Sequence, residues 1–588
     1  MSFNVSFSKR NTEKFYLPGQ EIKIARGTIA PKSYTTESDN VLKCRQRTFF
    51  ALCCFLAVYF FLCFRVGYVC LNKGVNIDTA ISDAGDTDII RFKNPVKRAD
   101  IVDRNGEIIA TSLPAVNLYA NTKKIDNPED VAEKLNYIFP EISYERLFGL
   151  LSRRRSFVYL KHSISPAQQS QVNDLGIPGL EFEICETRIY PHKNLFSHIL
   201  GQTNTDNEGI SGLEKYMNER LTTSTKPLYL SVDLGVQNQI RDELIAGIKK
   251  FGAAGASAIL MDVKSGKVIA LTSVPDFNPN DLDSKIEQKT KFNFATKGIY
   301  EAGSVFKVFN TAMSLDSGKV KISDKFDTSH PVKLRGITVR EPHGPMGKLT
   351  PEDILVESSN VGSTLEVIKV GKKYQREFLQ SINMDKALSE FEIPEVAKPN
   401  FKSEKDWRDA TMATVSYGYG ISSTPLHIIS AFSAIINGGI YHQPTLLKDV
   451  KREGERVVSE KTSQTMRSML RAVVVRGTGK KANVEGYQVI GKTGTADKLN
   501  ENGGYNHKKS ISTFISAFPE KDPQYALLVV IDDPKGSKET FGHTEAGWNA
   551  VPITRNIITS VAPQLNVKAD FDLQKQKSIV DAAYKMAK

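Results

Sequence analysis

Hydrophobic and polar positions fall into three regimes along the chain. Thr48 to Phe64 is a run of seventeen uncharged residues rich in Phe, Leu, Cys and Ala; Arg65 interrupts it, and Val66 to Leu71 is apolar again. A helix of about 24 residues is about 36 Å long, enough to cross a bilayer with some tilt, and Arg65 can snorkel to the far interface. A cleaved signal peptide fits poorly, because about 47 residues precede the run and no convincing A-x-A site follows it. From about Arg91 to Thr225 short strand and helix patterns mix. From Pro227 onward the signals are longer. Pro227 to Val232 alternates as a strand, and Val236 to Phe251 has helical periodicity. Ala256 to Asp262 and Lys267 to Val274 are apolar strands joined across Lys264-Ser265-Gly266, a hairpin signal.

A helix-rich stretch then runs from Phe306 to about Leu470. Strand patterns return at Tyr487 to Thr495, Ile511 to Phe518 and Tyr525 to Ile531, and a helical segment from Ala546 to Ile558 closes the series. Strands at both ends of a helical middle predict one α/β domain, its central antiparallel sheet built from both ends and enclosed by helices. Residues after about Ala562 read as a polar helical or disordered tail. The organisation expected is therefore a cytoplasmic tail (1–44), a transmembrane helix (45–71), a linker (72–90), a membrane-proximal α+β module (91–225), the α/β domain (226–562) and a tail (563–588).

Charge orients the anchor. Residues 1–47 carry nine Lys and Arg against four Asp and Glu, whereas Asp78, Asp83, Asp86 and Asp88 follow the apolar run. The positive-inside rule puts the N-terminus in the cytoplasm and everything after Leu71 outside, on one membrane span. The rest of the +12 net charge is spread thinly, with no basic stripe interleaved with aromatics, so a nucleic-acid partner is not indicated. Five of six cysteines lie in or beside the apolar run and only Cys185 lies beyond it, so the exported part depends on its core and not on an internal disulfide. Nine scattered histidines form no H-E-x-x-H pair, and there is no paired C-x-x-C, so no metal is expected; His330, His343, His427 and His543 read as surface or loop residues.

Three strings carry chemistry: Ser304-Val305-Phe306-Lys307, Ser358-Ser359-Asn360 and Lys492-Thr493-Gly494-Thr495, roughly 50 and then roughly 130 residues apart. Single matches mean little, since Ser6-Phe7-Ser8-Lys9 also fits S-x-x-K and Lys461-Thr462-Ser463 nearly imitates the last string. Ser304 differs in context: it follows the turn-like Tyr300-Glu301-Ala302-Gly303 and opens an apolar helical run, where free N–H groups favour developing negative charge. The i, i+3 spacing sets Ser304 and Lys307 on one helix face. A serine hydroxyl needs a base within reach, and an ordinary lysine is protonated. Burial and a second cation both disfavour the charged form, and Lys492 is that second cation. Lys307 is thus expected to be largely neutral and to take the proton of Ser304. Ser358 and Asn360 would relay protons and orient a substrate amide, although Ser358-Ser359-Asn360 also reads as a helix cap. Thr493-Gly494-Thr495 is expected on an edge strand, with Gly494 letting a peptide approach the backbone and add as a further strand. The N–H groups of Ser304 and Thr495 are the candidate oxyanion hole. The kit suits attack on an amide beside a free carboxylate.

A rival lies within the same residues. Gly486 to Thr493 satisfies G-x-x-x-x-G-K-[ST], the phosphate-cradling loop, and Leu527 to Ile531 followed by Asp532-Asp533 imitates its magnesium-binding strand. Such a loop must follow a strand and open a helix, whereas Tyr487 to Ile490 is itself strand-like and Asn500 to Gly504 breaks any helix.

The chain resembles the class B penicillin-binding proteins, and within them the division-specific type. Besides the three strings, the likeness rests on Arg98 to Gly106, Arg188-Ile189-Tyr190-Pro191, Gly209 to Lys215, Ser416 to Gly420, Thr424 to His427 and Val529 to Pro534. The resemblance implies a penicillin-binding transpeptidase fold on an N-terminal pedestal, dimerisation-like module. It implies a peptidoglycan D,D-transpeptidase in the bacterial inner membrane, its catalytic domain periplasmic. Ser304 would attack the D-Ala-D-Ala end of a stem peptide, with Lys307, Ser358, Asn360 and Lys492 in catalysis and Thr493, Gly494 and Thr495 binding substrate; β-lactams would acylate Ser304. No cofactor is implied. The implied partners are lipid-linked glycan strands, a membrane-embedded glycosyltransferase and other divisome proteins. An elongation-specific enzyme, a penicillin-sensing receptor and a serine β-lactamase remain alternatives. Two departures stand out: Ala302 replaces the usual Pro before the Gly, and His543-Thr544-Glu545-Ala546-Gly547-Trp548 replaces the usual paired glycines.

Overall fold

The computed structural model describes residues 47, 49–65, 97–281, 287–499 and 504–571. Residues 49–65 form a helix whose large side chains, Phe50, Phe55, Phe60 and Phe64 among them, are exposed. Among the described residues no helix is long and apolar enough to cross a membrane. The expected span continues to Leu71, and Val66 to Leu71, the expected linker over 72–90 and the expected cytoplasmic tail over 1–44 lie outside the described residues.

The pedestal is organised around one long strand. Strand β1 (Ile101–Val102) leads into β2 (Ile108–Ala120), which is covered by helices α1 (Pro128–Ile138) and α2 (Tyr144–Leu151) and flanked by β3 (Val158–Ile164) and β4 (Leu180–Ile189). β2 pairs antiparallel with β4 along ten positions, from Thr111↔Ile189 to Ala120↔Leu180, and with β3 near its end. Ile101 lies parallel to Leu228 of β5 (Leu228–Tyr229), which stitches the module to the segment that follows. Of the strand expected over Pro227 to Val232, these two residues alone are paired in regular structure; Leu230 makes an isolated bridge to Leu447.

Three of the family-like segments converge on one carboxylate. Arg98 Nη2 and Arg188 Nε each lie 2.7 Å from Glu214, and all three side chains are buried. Arg98 also donates to the Glu214 carbonyl at 2.9 Å and to Asn218 Oδ1 at 2.8 Å. A carboxylate taken out of water needs such partners, and two guanidinium groups supply them.

The α/β domain opens with helix α3 (Leu234–Phe251) and the hairpin β6 (Gly255–Asp262) and β7 (Val268–Val274). Its helical middle contributes α4 (Phe306–Asp316), α5 (Pro351–Glu357), α6 (Asn360–Val370), α7 (Pro425–Ile436) and α8 (Glu460–Arg476). The sheet is completed by β8 (Ile490–Leu499), β9 (Tyr505–Phe518) and β10 (Tyr525–Asp532), and α9 (Ala550–Gln564) follows. The strand order is β8-β9-β10-β6-β7, antiparallel throughout, so segments from both ends of the domain share one sheet. Every residue of β10 is buried because both faces are covered. Leu527, Val529 and Ile531 pack with α3 and α9, whereas Leu528 and Val530 pack into the core that contains α4 and α7. Each such side chain contributes roughly 1.5–3 kcal/mol on burial.

Helix α4 sits inside that second core. Every residue from Phe306 to Ser314 is buried, polar ones included. Beyond α9 the expected polar tail is only partly so: Val567 is buried and the Asp570 N–H donates to the Gly486 carbonyl at 2.8 Å. The apolar side chains of Leu565 and Val567 draw the chain back onto the domain, and residues 572–588 lie outside the described residues. His427 also departs from expectation. It is buried, with Nδ1 2.7 Å from Thr424 Oγ1 and Nε2 2.9 Å from the Lys386 carbonyl, so both ring nitrogens are satisfied without solvent. Burial pushes its pKa down to about 4.

Candidate active site

Ser304 lies in a single 3-10 turn (Gly303–Val305) that runs into α4, and Lys307 follows one turn on. The turn needs Gly303. Its φ of +52° is a conformation that L side chains avoid, and an added Cβ would sit 2.6 Å from the Thr495 carbonyl. The Ser304 turn is therefore pressed against strand β8. Gly494 serves the same contact, because its open side is filled by the Ala302 carbonyl and Val305. Its lack of a side chain thus admits the turn of its own chain. The edge available to an added strand is the outer side of β8, which is an edge strand.

The second string lies between two helices. Thr350 and Asp353 form a capping box at the start of α5, and Ser358 ends that helix with φ +61°. Ser359 then caps α6, its hydroxyl accepting from the Gly362 N–H at 2.8 Å. Cap and chemistry coexist here: the middle serine holds the helix, while its neighbours Ser358 and Asn360 turn toward Lys307.

Lys307 Nζ is within reach of four oxygens. It lies 2.8 Å from Ser304 Oγ, 2.7 Å from the Ser358 carbonyl, 3.2 Å from Ser358 Oγ and 2.7 Å from Asn360 Oδ1. An ammonium has three hydrogens for these four oxygens, whereas a neutral amine has two and a lone pair into which the Ser304 hydroxyl can donate. Lys307 is fully buried. Its pKa is held well below the usual lysine value, first by burial and then by the charge of Lys492, with Glu341 acting in the opposite direction.

Lys492 enters from β8. Its Nζ lies 3.0 Å from Ser358 Oγ and 3.1 Å from the Thr493 carbonyl, and burial lowers its pKa to about 7. Thr493 Oγ1 is 2.6 Å from Thr478 Oγ1, and Thr495 Oγ1 accepts from the Ala546 N–H at 3.2 Å. Ser304, Ser358, Asn360, Thr493 and Thr495 all line one cavity of about 600 Å³. The three strings expected to act together are thus brought together. The phosphate-loop alternative fails on geometry, since residues from Ile490 onward form a strand antiparallel to β9 and open no helix.

Several contacts of the site escaped sequence reasoning, although Tyr417, Tyr419 and Glu301 lie in segments singled out above. Tyr417 and Tyr419 line the cavity. Glu301 accepts from the Gly420 N–H at 2.7 Å and from the Tyr505 hydroxyl at 3.2 Å, tying the Ser304 turn to the far end of β9. Glu341 takes three donors at the start of α6. None of these contacts has a local pattern that marks it, because each is made across a long stretch of chain.

Comparison with known proteins fits this geometry. A model of the penicillin binding protein transpeptidase domain matches residues 256–559, and one of the penicillin-binding protein dimerisation domain matches residues 93–243. The chain belongs to the penicillin-binding protein transpeptidase family. Among similar proteins, the probable peptidoglycan D,D-transpeptidase FtsI of Caulobacter vibrioides is 31% identical over 492 residues, 81% of this chain and 82% of that protein. The peptidoglycan D,D-transpeptidase FtsI of Escherichia coli is 28% identical over 586 residues, 93% of this chain and 96% of the relative. The crystal structure of a Mycobacterium penicillin binding protein 3 complexed with aztreonam superposes with a TM-score of 0.65 at 23% identity, over 81% of this chain and 98% of that one, which shows the shared fold.

The segment at 543–548 builds one wall of the cavity. Lys481 Nζ sits 3.3 Å from the centroid of the Trp548 ring, and the His543 ring stacks on Trp548 at 5.2 Å with the planes 5° apart. Lys481, His543 and Trp548 all line the cavity. A cationic and aromatic wall thus lines this side of the cavity.

Proposed function

We propose that this chain is a peptidoglycan D,D-transpeptidase that works through an acyl-enzyme on Ser304. Lys307 takes the proton of the Ser304 hydroxyl as Oγ bonds to the carbonyl carbon of the penultimate D-alanine. The N–H groups of Ser304 and Thr495 stabilise the oxyanion. The bond to the terminal D-alanine then breaks, and its nitrogen receives a proton relayed through Ser358. An amine from a neighbouring stem peptide attacks the ester, forms the new amide and returns Ser304 to its hydroxyl. Lys492, Thr493 and Thr495 hold the terminal carboxylate, Asn360 orients the amide, and Gly494 keeps β8 close to the nucleophile turn. β-Lactams enter by the same first step and leave Ser304 acylated.

One observation carries this reading: a fully buried amine, Lys307, 2.8 Å from the Ser304 hydroxyl. The likeness to proteins named FtsI supports a role in septal wall synthesis, with a membrane-embedded glycosyltransferase and other divisome proteins as partners. The exposed apolar helix at 49–65 and the basic residues before it support a single membrane anchor, with the N-terminus cytoplasmic and the catalytic domain periplasmic. The working division is a pedestal over 91–225 and a transpeptidase domain over 226–562. The test is labelling with a fluorescent penicillin, comparing the full chain with Ser304→Ala. A persistent adduct on the unaltered chain and none on the variant are expected. Labelling of the variant, or release of hydrolysed drug as fast as it binds, contradicts the proposal.

A further inference from the structure

Glu341 lies between the short strand Ile337–Val339 and the strand Lys348–Leu349, away from all three strings. Its carboxylate nevertheless reaches the second of them. Oε2 accepts from the Asn360 N–H at 2.9 Å, Oε1 accepts from the Val361 N–H at 3.1 Å, and the Ser359 hydroxyl donates to Oε1. The two N–H groups belong to the first turn of α6, whose N-terminal donors have no partner within the helix. A carboxylate there is favoured both by those donors and by the helix dipole.

We infer that Glu341 is the positioning residue of this site: it locks the first turn of α6 and thereby holds Asn360 and Ser358 against Lys307. This deepens the assignment of Ser304 and Lys307 proposed above and rests on it. The chain of contacts is short. Glu341 grips the backbone of Asn360, Asn360 Oδ1 takes Lys307 Nζ at 2.7 Å, and Lys307 Nζ is 2.8 Å from Ser304 Oγ. The carboxylate touches neither Ser304 nor Lys307, so it acts through its neighbours.

Its charge has a second consequence. The charged and titratable groups packed around Lys307, among the described residues, are Lys492 from β8, Glu341 from its loop and Glu366 from α6. The last of these meets α4 at Asn310 and Thr311, beyond Lys307. Lys492 pushes Lys307 toward the neutral form and Glu341 toward the charged one. Removing the Glu341 charge while keeping its shape lets Lys307 lose its proton at lower pH. A base must be neutral to act, so acylation rises with pH through the pKa of Lys307, and that acid limb must move down.

The experiment measures the second-order rate of acylation by a fluorescent penicillin against pH, with melting temperature, for the full chain and for Glu341→Gln, Glu341→Asp and Glu341→Ala. Glu341→Gln keeps one acceptor oxygen but sets an amide N–H2 against a donor the other oxygen had taken, so it is expected to melt slightly below the unaltered chain, acylate about 10-fold more slowly at its plateau and show an acid limb displaced to lower pH. Glu341→Asp restores the charge and with it the original limb. Glu341→Ala loses about 100-fold or more, having no acceptor at all. An acid limb that stays in place in Glu341→Gln overturns the inference, and so does a loss of rate that merely follows the melting temperature. If Ser304→Ala abolishes labelling while the limb of Glu341→Gln is unmoved, this inference alone fails. If Ser304→Ala still labels, the reading of the site beneath it fails instead.

Discussion

Lys307 and Lys492 meet at a single oxygen: Ser358 Oγ lies 3.2 Å from one ammonium-bearing atom and 3.0 Å from the other. Both amines are fully buried. Two positive charges so close in a low-dielectric site repel strongly, so one of them is driven neutral. Burial lowers both, and the Lys492 charge lowers Lys307 further; the contact of Lys307 with Ser304 Oγ at 2.8 Å makes it the amine proposed to act neutral, as base. The hydroxyl lies between the two amines, a position that suits the relay role proposed for Ser358.

Lys492 should set an alkaline limb. Its free-enzyme pKa of about 7 means that it carries charge below that pH and loses it above. A substrate or β-lactam bearing a carboxylate needs the charged form, so its acylation rate should fall as pH rises through neutrality. Lys492→Arg, which stays cationic, should lose rate but also lose this limb. The second-order acylation rate against pH checks it, and an alkaline limb unchanged in Lys492→Arg contradicts the assignment.

Glu214 should carry much of the pedestal's stability. Arg98 and Arg188 are both buried against it, and removing one partner of a buried ion pair costs about 3–5 kcal/mol. Glu214→Ala is therefore expected to melt at markedly lower temperature, with the first loss in the pedestal. Differential scanning calorimetry measures this. An unchanged melting profile contradicts the role.

Glu366 predicts a pH-dependent stability. It is buried on α6, accepts from Thr311 Oγ1 at 2.9 Å and Asn310 Nδ2 at 3.1 Å, and burial raises its pKa to about 8. The folded state therefore binds a proton that the unfolded state has released between the ordinary carboxylate range and about 8. Its contribution to stability is present at low pH and is lost as pH rises through that window. Every tenfold gain in proton affinity on folding is worth about 1.4 kcal/mol, so the effect amounts to several kcal/mol at most. Glu366→Gln, neutral at every pH, should melt like the unaltered chain in acid and above it in mild alkali. Equal melting differences at both ends contradict a protonated Glu366.

The central sheet was legible because its strands announce themselves. β6, β7 and β10 are dominated by apolar residues and almost wholly buried, the pattern of strands covered on both faces. β8 was less clear: the strand pattern begins at Tyr487, yet regular pairing starts at Ile490, after Gln488 takes a φ of +45° that no strand accommodates. The three strings that meet at the cavity were legible because their motifs are local. What the sequence hid are contacts made across the fold. His427 looked like a surface residue because its partner carbonyl at Lys386 lies 41 positions away. Glu341 carries no local motif, although it grips α6 from 19 and 20 positions upstream. The close approach at Gly494 was likewise hidden, since the turn that fills its open side lies near Ala302.

The most direct measurement replaces Lys307 by thialysine, an amine of the same reach but lower intrinsic pKa, and follows the acylation of Ser304 against pH. A neutral Lys307 acting as base predicts that acylation persists and that its acid limb moves down with the pKa of the substituted amine. An acid limb that stays where it was contradicts the account, because the group that then limits acylation is not the amine beside Ser304.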